Sequence, residues 1–206
     1  MKVLLVNGSP HAHGCTYTAL QEIAQTLQNE GIESDIFQVG TRPLSGCLGC
    51  GRCSEKGKCV MNDAVNEFLA KAAEYDAFVF GAPVHFASAN GAMIAFLDRV
   101  FCAGKQVLQF KPAAAVVSCR RAGSTATFDQ LNKYFAIRHM PIVTSQYWNQ
   151  VHGNTPEEVR RDIEGMQTMR SLGRNMAWIL RCIEAGNQAG FPHPEHEKHT
   201  KTNFIR

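Results

Sequence analysis

Lys2-Val3-Leu4-Leu5-Val6-Asn7-Gly8-Ser9-Pro10-His11-Ala12-His13-Gly14-Cys15-Thr16-Tyr17-Thr18 opens on a short apolar, β-branched run that ends at a glycine, as a buried parallel strand does. From Thr16 to Glu30, Leu20, Ile23, Ala24 and Leu27 recur at helical spacing until Gly31 stops the pattern. A strand that passes through a glycine-bearing loop into a helix is the first half of a βαβ unit, and the chain repeats it. Strand-like runs recur at 33–38, 77–81, 113–118 and 141–143. Helical patterns lie between them: one capped by Asp63 and carrying Val65, Phe68, Leu69 and Ala72, one over 90–101 and one near 124–137. Five strands separated by helices predict an α/β three-layer sandwich with a five-stranded parallel sheet covered on both faces.

Working outward, Thr155-Pro156-Glu157-Glu158 reads as an N-cap, a proline at the first helical position and a capping-box glutamate. It opens a helix expected to run through Met169, Leu172, Met176 and Ile179 to about Glu184. The expected organisation is a single domain over 1–185, with a cysteine-rich loop at 43–62 inserted after the second strand and a polar arm at 186–206. Hydrophobic content of 45% and charged content of 19% over 206 residues are those of a soluble chain long enough for a real core. A net charge of +3 with acids and bases interspersed gives no footprint for nucleic acid. MKVLLVNGSP is too short and too soon broken to read as a signal peptide or membrane span. Eight cysteines without such a signal argue for reduced thiols or metal in a cytoplasmic setting.

In an open parallel sheet, ligands bind beyond the carboxyl ends of the strands where the strand order reverses. Three loops at that edge carry unusual residues. Gly8 to Thr18 combines glycines, the hydroxyls of Ser9, Thr16 and Thr18, and a helix N-terminus, which together make an anion cradle. It lacks the lysine of a Walker A loop and does not match G-x-G-x-x-G, so it is expected to hold a phosphate statically. An ordinary capped turn is the plainer reading of that loop alone. Gly81-Ala82-Pro83-Val84-His85-Phe86-Ala87-Ser88-Ala89-Asn90-Gly91 offers an extended backbone and flat side chains for a ring, and Ser118-Cys119-Arg120-Arg121-Ala122-Gly123-Ser124 closes the same edge.

Cys47, Cys50, Cys53 and Cys59 have the spacing C-x2-C-x2-C-x5-C, with Gly46, Gly49, Gly51 and Gly57 around them. Compact runs of this kind hold iron–sulfur clusters, where small residues let the backbone curl round the cube. Free or oxidised thiols and a zinc site remain open as readings, although separated pairs are the commoner zinc arrangement. Cys15, Cys102, Cys119 and Cys182 are scattered and read as small apolar residues. His193, His196 and His199 recur every third residue in the polar arm, where a solvated tail is favoured over metal binding.

Taken together, GSPHAHGCTYT, GAPVHFASANGAMIAFLDRV, VVSCRRAGS, SQYWNQVHG and EGMQTMRSLGRNMAW resemble the flavodoxin-like NAD(P)H-dependent FMN reductases, nearest their iron–sulfur flavoprotein branch. The resemblance implies a flavodoxin-like fold, with FMN phosphate at Ser9, Gly14, Thr16, Tyr17 and Thr18. It implies ring contacts from Pro83, Val84, His85 and Phe86, with Ser118, Gly123 and Ser124 closing the site. Relatives often carry tyrosine where His85 and Phe86 stand. It places cluster ligands at the cysteine run, names NAD(P)H as electron donor, and implies a homodimer or homotetramer. The flavin carries the chemistry, so no catalytic side chain is demanded. The expected activity passes electrons from NAD(P)H to a quinone, flavin or other small acceptor, through a [4Fe-4S] cluster and toward a ferredoxin-like partner if the cysteines are metallated. The alternative is a one-electron carrier or thiol redox sensor without turnover.

Overall fold

The central strands of this chain bury both faces, and their alternation sorts the core into two layers. In β1 (Lys2–Asn7), Leu4 and Val6 face one layer while Val3 and Leu5 face the other. β3 (Ala77–His85) splits in the same way, with Phe78, Phe80 and Ala82 against Ala77 and Val79. The computed structural model describes residues 1–195 together with 197, 200 and 202, so the expectations placed on His196 and His199 lie outside the described residues. The remaining elements, in chain order, are α1 (Cys15–Asn29), β2 (Glu33–Gln38), α2 (Cys53–Lys56), α3 (Ala64–Ala72), β4 (Ser88–Ala89), α4 (Gly91–Ala103), α5 (Lys105–Leu108), β5 (Ala113–Cys119), α6 (Ser124–Ala136), β6 (Gln150–His152), α7 (Pro156–Arg161) and α8 (Ile163–Gln188).

The parallel sheet has the order β2-β1-β3-β5-β6, and β4 pairs antiparallel with the end of β3. α1, α7 and α8 cover one face; α3, α4 and α6 cover the other. That second face is aromatic. Phe68 meets Phe37, Phe78, Phe80 and Phe96 at centroid distances of 5.4–6.1 Å. Space for the rings comes from the neighbouring strand, where Ala113 and Ala115 stand opposite Phe78 and Phe80. The strand order reverses between β1 and β3, so the crevice for a ligand lies beyond their carboxyl ends.

Three expectations are corrected here. The fifth strand does not stop at Val143. The edge touches the sheet at Ile142, opposite Ala113, leaves it through 144–149, and returns as β6. The departure is local: the Ser145 hydroxyl donates to Tyr147 O at 2.7 Å and closes a turn that leaves Tyr147 and Trp148 half-exposed. Thr155 does cap a helix, but only the short α7. Asp162 breaks it with non-helical φ −74°, ψ 82° and caps α8 by accepting from Gly165 N at 3.0 Å. α8 then runs on to Gln188, past the position where the polar arm was expected to begin.

Candidate functional site

All three expected loops meet at the carboxyl edge of the sheet. Beneath the first, Asn7 is wholly buried at the end of β1. Its amide donates to Gln38 Oε1 at 2.6 Å and accepts from Ser9 N at 3.1 Å, while Gln38 Nε2 donates to Ser9 O at 2.6 Å. Two strand-end side chains thus shape the loop from below, and Asn90 adds a third support by donating to Gly8 O at 2.8 Å. Asn7, Gln38 and Asn90 escape a reading by motif. Their signal is a polar residue where an apolar strand ends or a helix begins.

The hydroxyls of the first loop divide their roles. Ser9 Oγ accepts from His11 N at 3.1 Å. Thr16 and Ser118 share a buried hydroxyl–hydroxyl bond of 2.7 Å that ties the first loop to the third. Thr18 donates back along α1 to Gly14 O at 3.1 Å, and Tyr17 packs edge-on to His13. Thr16→Val, which is isosteric, strands the Ser118 hydroxyl in the core. It is expected to cost about 1–3 kcal/mol, and a thermal melt should fall by about 2–4 °C for each kcal/mol lost. Thr16→Ser should stay near wild type.

The second loop is a hairpin. Val84 pairs with Ala89 and His85 with Ser88, and the two residues between them, Phe86 and Ala87, both have positive φ, 51° and 60°. A two-residue turn of type I′ needs that geometry and normally uses Asn or Gly for it. Gln130 on α6 holds the hairpin from behind, accepting from the Ser88 hydroxyl at 2.8 Å and from Ala89 N at 3.1 Å. Pro83 and Val84 are half-buried, His85 is exposed, and Phe86 stands fully in solvent at the rim. The third loop packs on this hairpin through Gly123 (φ 88°), where a Cβ would lie 2.6 Å from Ala87 Cα and 2.9 Å from Val84 Cγ1. Ser124, buried, begins α6 behind it.

The helices that follow the three loops lack side-chain caps, as do the single-turn α2 and α5. α3, α7 and α8 are each capped by a side chain: Asp63, Thr155 and Asp162. α1, α4 and α6, which follow the three ligand loops, have no side-chain cap bond at Gly14, Asn90 or Gly123. The first-turn amides of a helix have no acceptor within it. At α1 they face the loop expected to cradle a phosphate, with the positive end of the dipole behind them. A phosphate-bearing ligand fits that arrangement.

Five cysteines, not four, share the second site. Cys47, Cys50, Cys53, Cys59 and Cys102 line a small hollow of about 30 Å³ together with Arg99. Cys102, expected to be an isolated apolar residue, is brought there by α4. Burial raises its thiol pKa, and the neighbouring Cys47 thiol raises it further. Gly49, Gly51 and Gly57 all take positive φ, the backbone freedom the run was expected to need. Cys47 and Cys50 are exposed, and Cys53 and Cys59 are half-buried. As placed, no three His, Cys, Asp or Glu side chains among the described residues converge on a common metal position. Cys47, Cys50, Cys53 and Cys59, four soft sulfur ligands close together in the chain, suit an iron–sulfur cluster or zinc. Cys15 and Cys119 behave as expected of small packed residues, since burial pushes both thiols up and Cys15 donates to Gly153 O at 3.6 Å.

Residues 1–155 match the family model of the NADPH-dependent FMN reductases. The chain belongs to that family. It is 31% identical over 192 residues to an iron–sulfur flavoprotein of Methanocaldococcus jannaschii, covering 89% of this chain and all of the relative. Among solved structures, RosB with a bound flavin-type intermediate superposes with TM-score 0.69 at 14% identity, over 100% of this chain and 92% of that one. A flavodoxin from the domain Archaea superposes with TM-score 0.61 at 14% identity, over 88% of this chain and 99% of that one. At such identities the structures establish the flavodoxin-like fold, and the sheet order seen here is the flavodoxin order. Among the described residues no helix is long and apolar enough to cross a membrane.

Proposed function

We propose that the protein binds FMN across the three loops and works as an oxidoreductase, taking electrons from NAD(P)H and passing them to a quinone, flavin or other small acceptor. The observation that carries this reading is the N-terminus of α1, whose first turn has no side-chain cap and opens at the edge where the strand order reverses. Family membership and the name of the 31% identical relative support it. The α1 amides and Ser9 would bind the phosphate, with Gly14, Thr16, Tyr17 and Thr18 shaping that turn. Pro83, Val84, His85 and Phe86 would border the ring, and Ser118, Gly123 and Ser124 would close the site. FMN, when bound, supplies a ring that accepts a hydride or single electrons. The chain orients that ring: the Thr16–Ser118 bond and the Gly123–Ala87 contact lock the loops to one another. We further propose that Cys47, Cys50, Cys53 and Cys59 hold a [4Fe-4S] cluster as a one-electron outlet, toward a ferredoxin-like protein, and that the chain assembles as a homodimer or homotetramer in the cytoplasm.

The test is an absorption spectrum of anaerobically purified protein with flavin, iron and acid-labile sulfide assayed on the same sample, followed by steady-state NAD(P)H oxidation with a quinone. The expected result is one FMN and about four irons per chain, as a [4Fe-4S] cluster requires, with saturable turnover. Protein that takes up no flavin even from added FMN overturns the proposal. Flavin and iron without turnover would instead favour a one-electron carrier, and flavin with reactive thiols but no iron a redox sensor.

A further inference from the structure

Among the described residues Arg99 is the largest fully buried side chain, 1% exposed, and it lies against the cysteine hollow. A guanidinium is costly to bury unless every N–H finds an acceptor. Here each one does. Nη1 donates to Asp63 Oδ2 at 2.7 Å and to Ser45 O at 3.3 Å; Nη2 donates to Asp63 Oδ1 at 2.9 Å and to Met61 O at 3.2 Å. Nε donates to Cys59 Sγ at 3.3 Å. One side chain on α4 therefore grips the cysteine loop before and after its cysteines, at Ser45 and Met61, and touches one sulfur directly.

Cys59 is the member of the set that most needs such help. Cys47, Cys50 and Cys53 follow one another at three-residue intervals, whereas Cys59 comes after α2 and a left-handed turn at Gly57. Its backbone is already fixed on both sides by Asn66, which accepts from Cys59 N at 2.9 Å and donates to Cys59 O at 2.9 Å. With the backbone held, the Nε–H bond decides where the sulfur points. A guanidinium keeps its charge in proteins, and Asp63, 2.7 Å from Nη1, balances it beside that sulfur.

We infer that Arg99 is a positioning residue for Cys59, orienting its thiolate and setting the reduction potential of the cluster that the cysteines hold. This rests on the cluster reading proposed above. A hydrogen bond and a fixed positive charge at a ligand sulfur favour the more negative, reduced cluster, and so raise its potential. Lysine cannot take the role over, because the fork that grips Asp63 and the separate Nε–H belong to the planar guanidinium.

The experiment is an EPR-monitored redox titration of anaerobically purified wild type, Arg99→Lys and Arg99→Gln, with FMN, iron and sulfide assayed on each. At the wild-type midpoint potential, the reduced-to-oxidised ratio of the cluster is expected to fall about tenfold in Arg99→Gln, a shift of about 59 mV for one electron, and by less in Arg99→Lys. Either variant loading flavin and iron normally, with the potential unmoved, overturns the inference while leaving the cluster reading intact. Wild type without iron overturns the cluster reading and this inference with it. Should neither variant fold, the wild-type side chain still reports. Protein labelled with ¹⁵N-arginine, in an Arg52→Lys/Arg138→Lys background, is expected to show a ¹⁵N coupling to the reduced cluster by pulsed EPR. Its absence would overturn the inference equally.

Discussion

Gly123→Val is expected to cost the protein most of its FMN. Gly123 sits at φ 88°, where a β-branched residue is strained, and a Cβ there would lie only 2.6 Å from Ala87 Cα, so its absence lets the third loop pack on the hairpin. Valine must push the 84–89 hairpin away from α6. In the empty protein the hairpin can relax outward; binding flavin would force it back, so the strain appears as lost affinity. Strain of this kind is about 1–3 kcal/mol, which corresponds to an affinity loss of roughly 5- to 150-fold. A fluorescence-quenching titration with FMN reads it, and circular dichroism confirms that the fold survives. An unchanged dissociation constant would remove the hairpin from the flavin site.

The second large effect is on stability. Asp63→Ala leaves the Arg99 guanidinium buried without its counter-charge and also strips the cap from α3, where Asp63 Oδ1 accepts from Val65 N at 3.1 Å. Breaking a buried pair from one side costs about 3–5 kcal/mol, or roughly 10 °C in a melt of a protein this size. Asp63→Asn keeps the cap acceptor and should fall between. The contrast is Lys2–Glu33, an ion pair at 3.1 Å with both side chains largely in water. Glu33→Gln there should leave the melting temperature close to wild type, because water screens so exposed a pair. An Asp63→Ala protein that melts within a degree or two of wild type would show that the pair matters little.

Reading the chain residue by residue recovers its frame well. β1 and the middle of β3 and β5 are continuous apolar runs, because both faces are buried and no alternation with polar residues is needed. α1 and α3 announce themselves by periodic apolar positions and end signals. The elements that were misplaced are those whose backbone obeys distant partners. β6 is fixed by its bonds to β5, with Val117 N donating to Asn149 O at 2.9 Å, and its own three residues carry no strand signature. The break between α7 and α8 depends on Asp162, one oxygen of which caps α8 while the other accepts from His152 N at 2.6 Å, ten residues back.

The ligand edge divides in the same way. The glycines and hydroxyls of the first loop, the Pro83–Phe86 stretch and the spacing of Cys47, Cys50, Cys53 and Cys59 could be read directly, because their chemistry is set by neighbours along the chain. What the sequence by itself determined was therefore the βα order, the two-sided burial of the central strands, and which loops stand at the carboxyl edge of the sheet. Only the tertiary structure decided that Thr16 locks to Ser118, that Gln38 supports Ser9, and that Arg99 and Cys102 join the cysteines. The hydrogen-bonded partners among them lie 29 to 102 residues apart. Such contacts exist because helices packed on a twisted parallel sheet bring distant side chains together, and no local spacing encodes which ones meet.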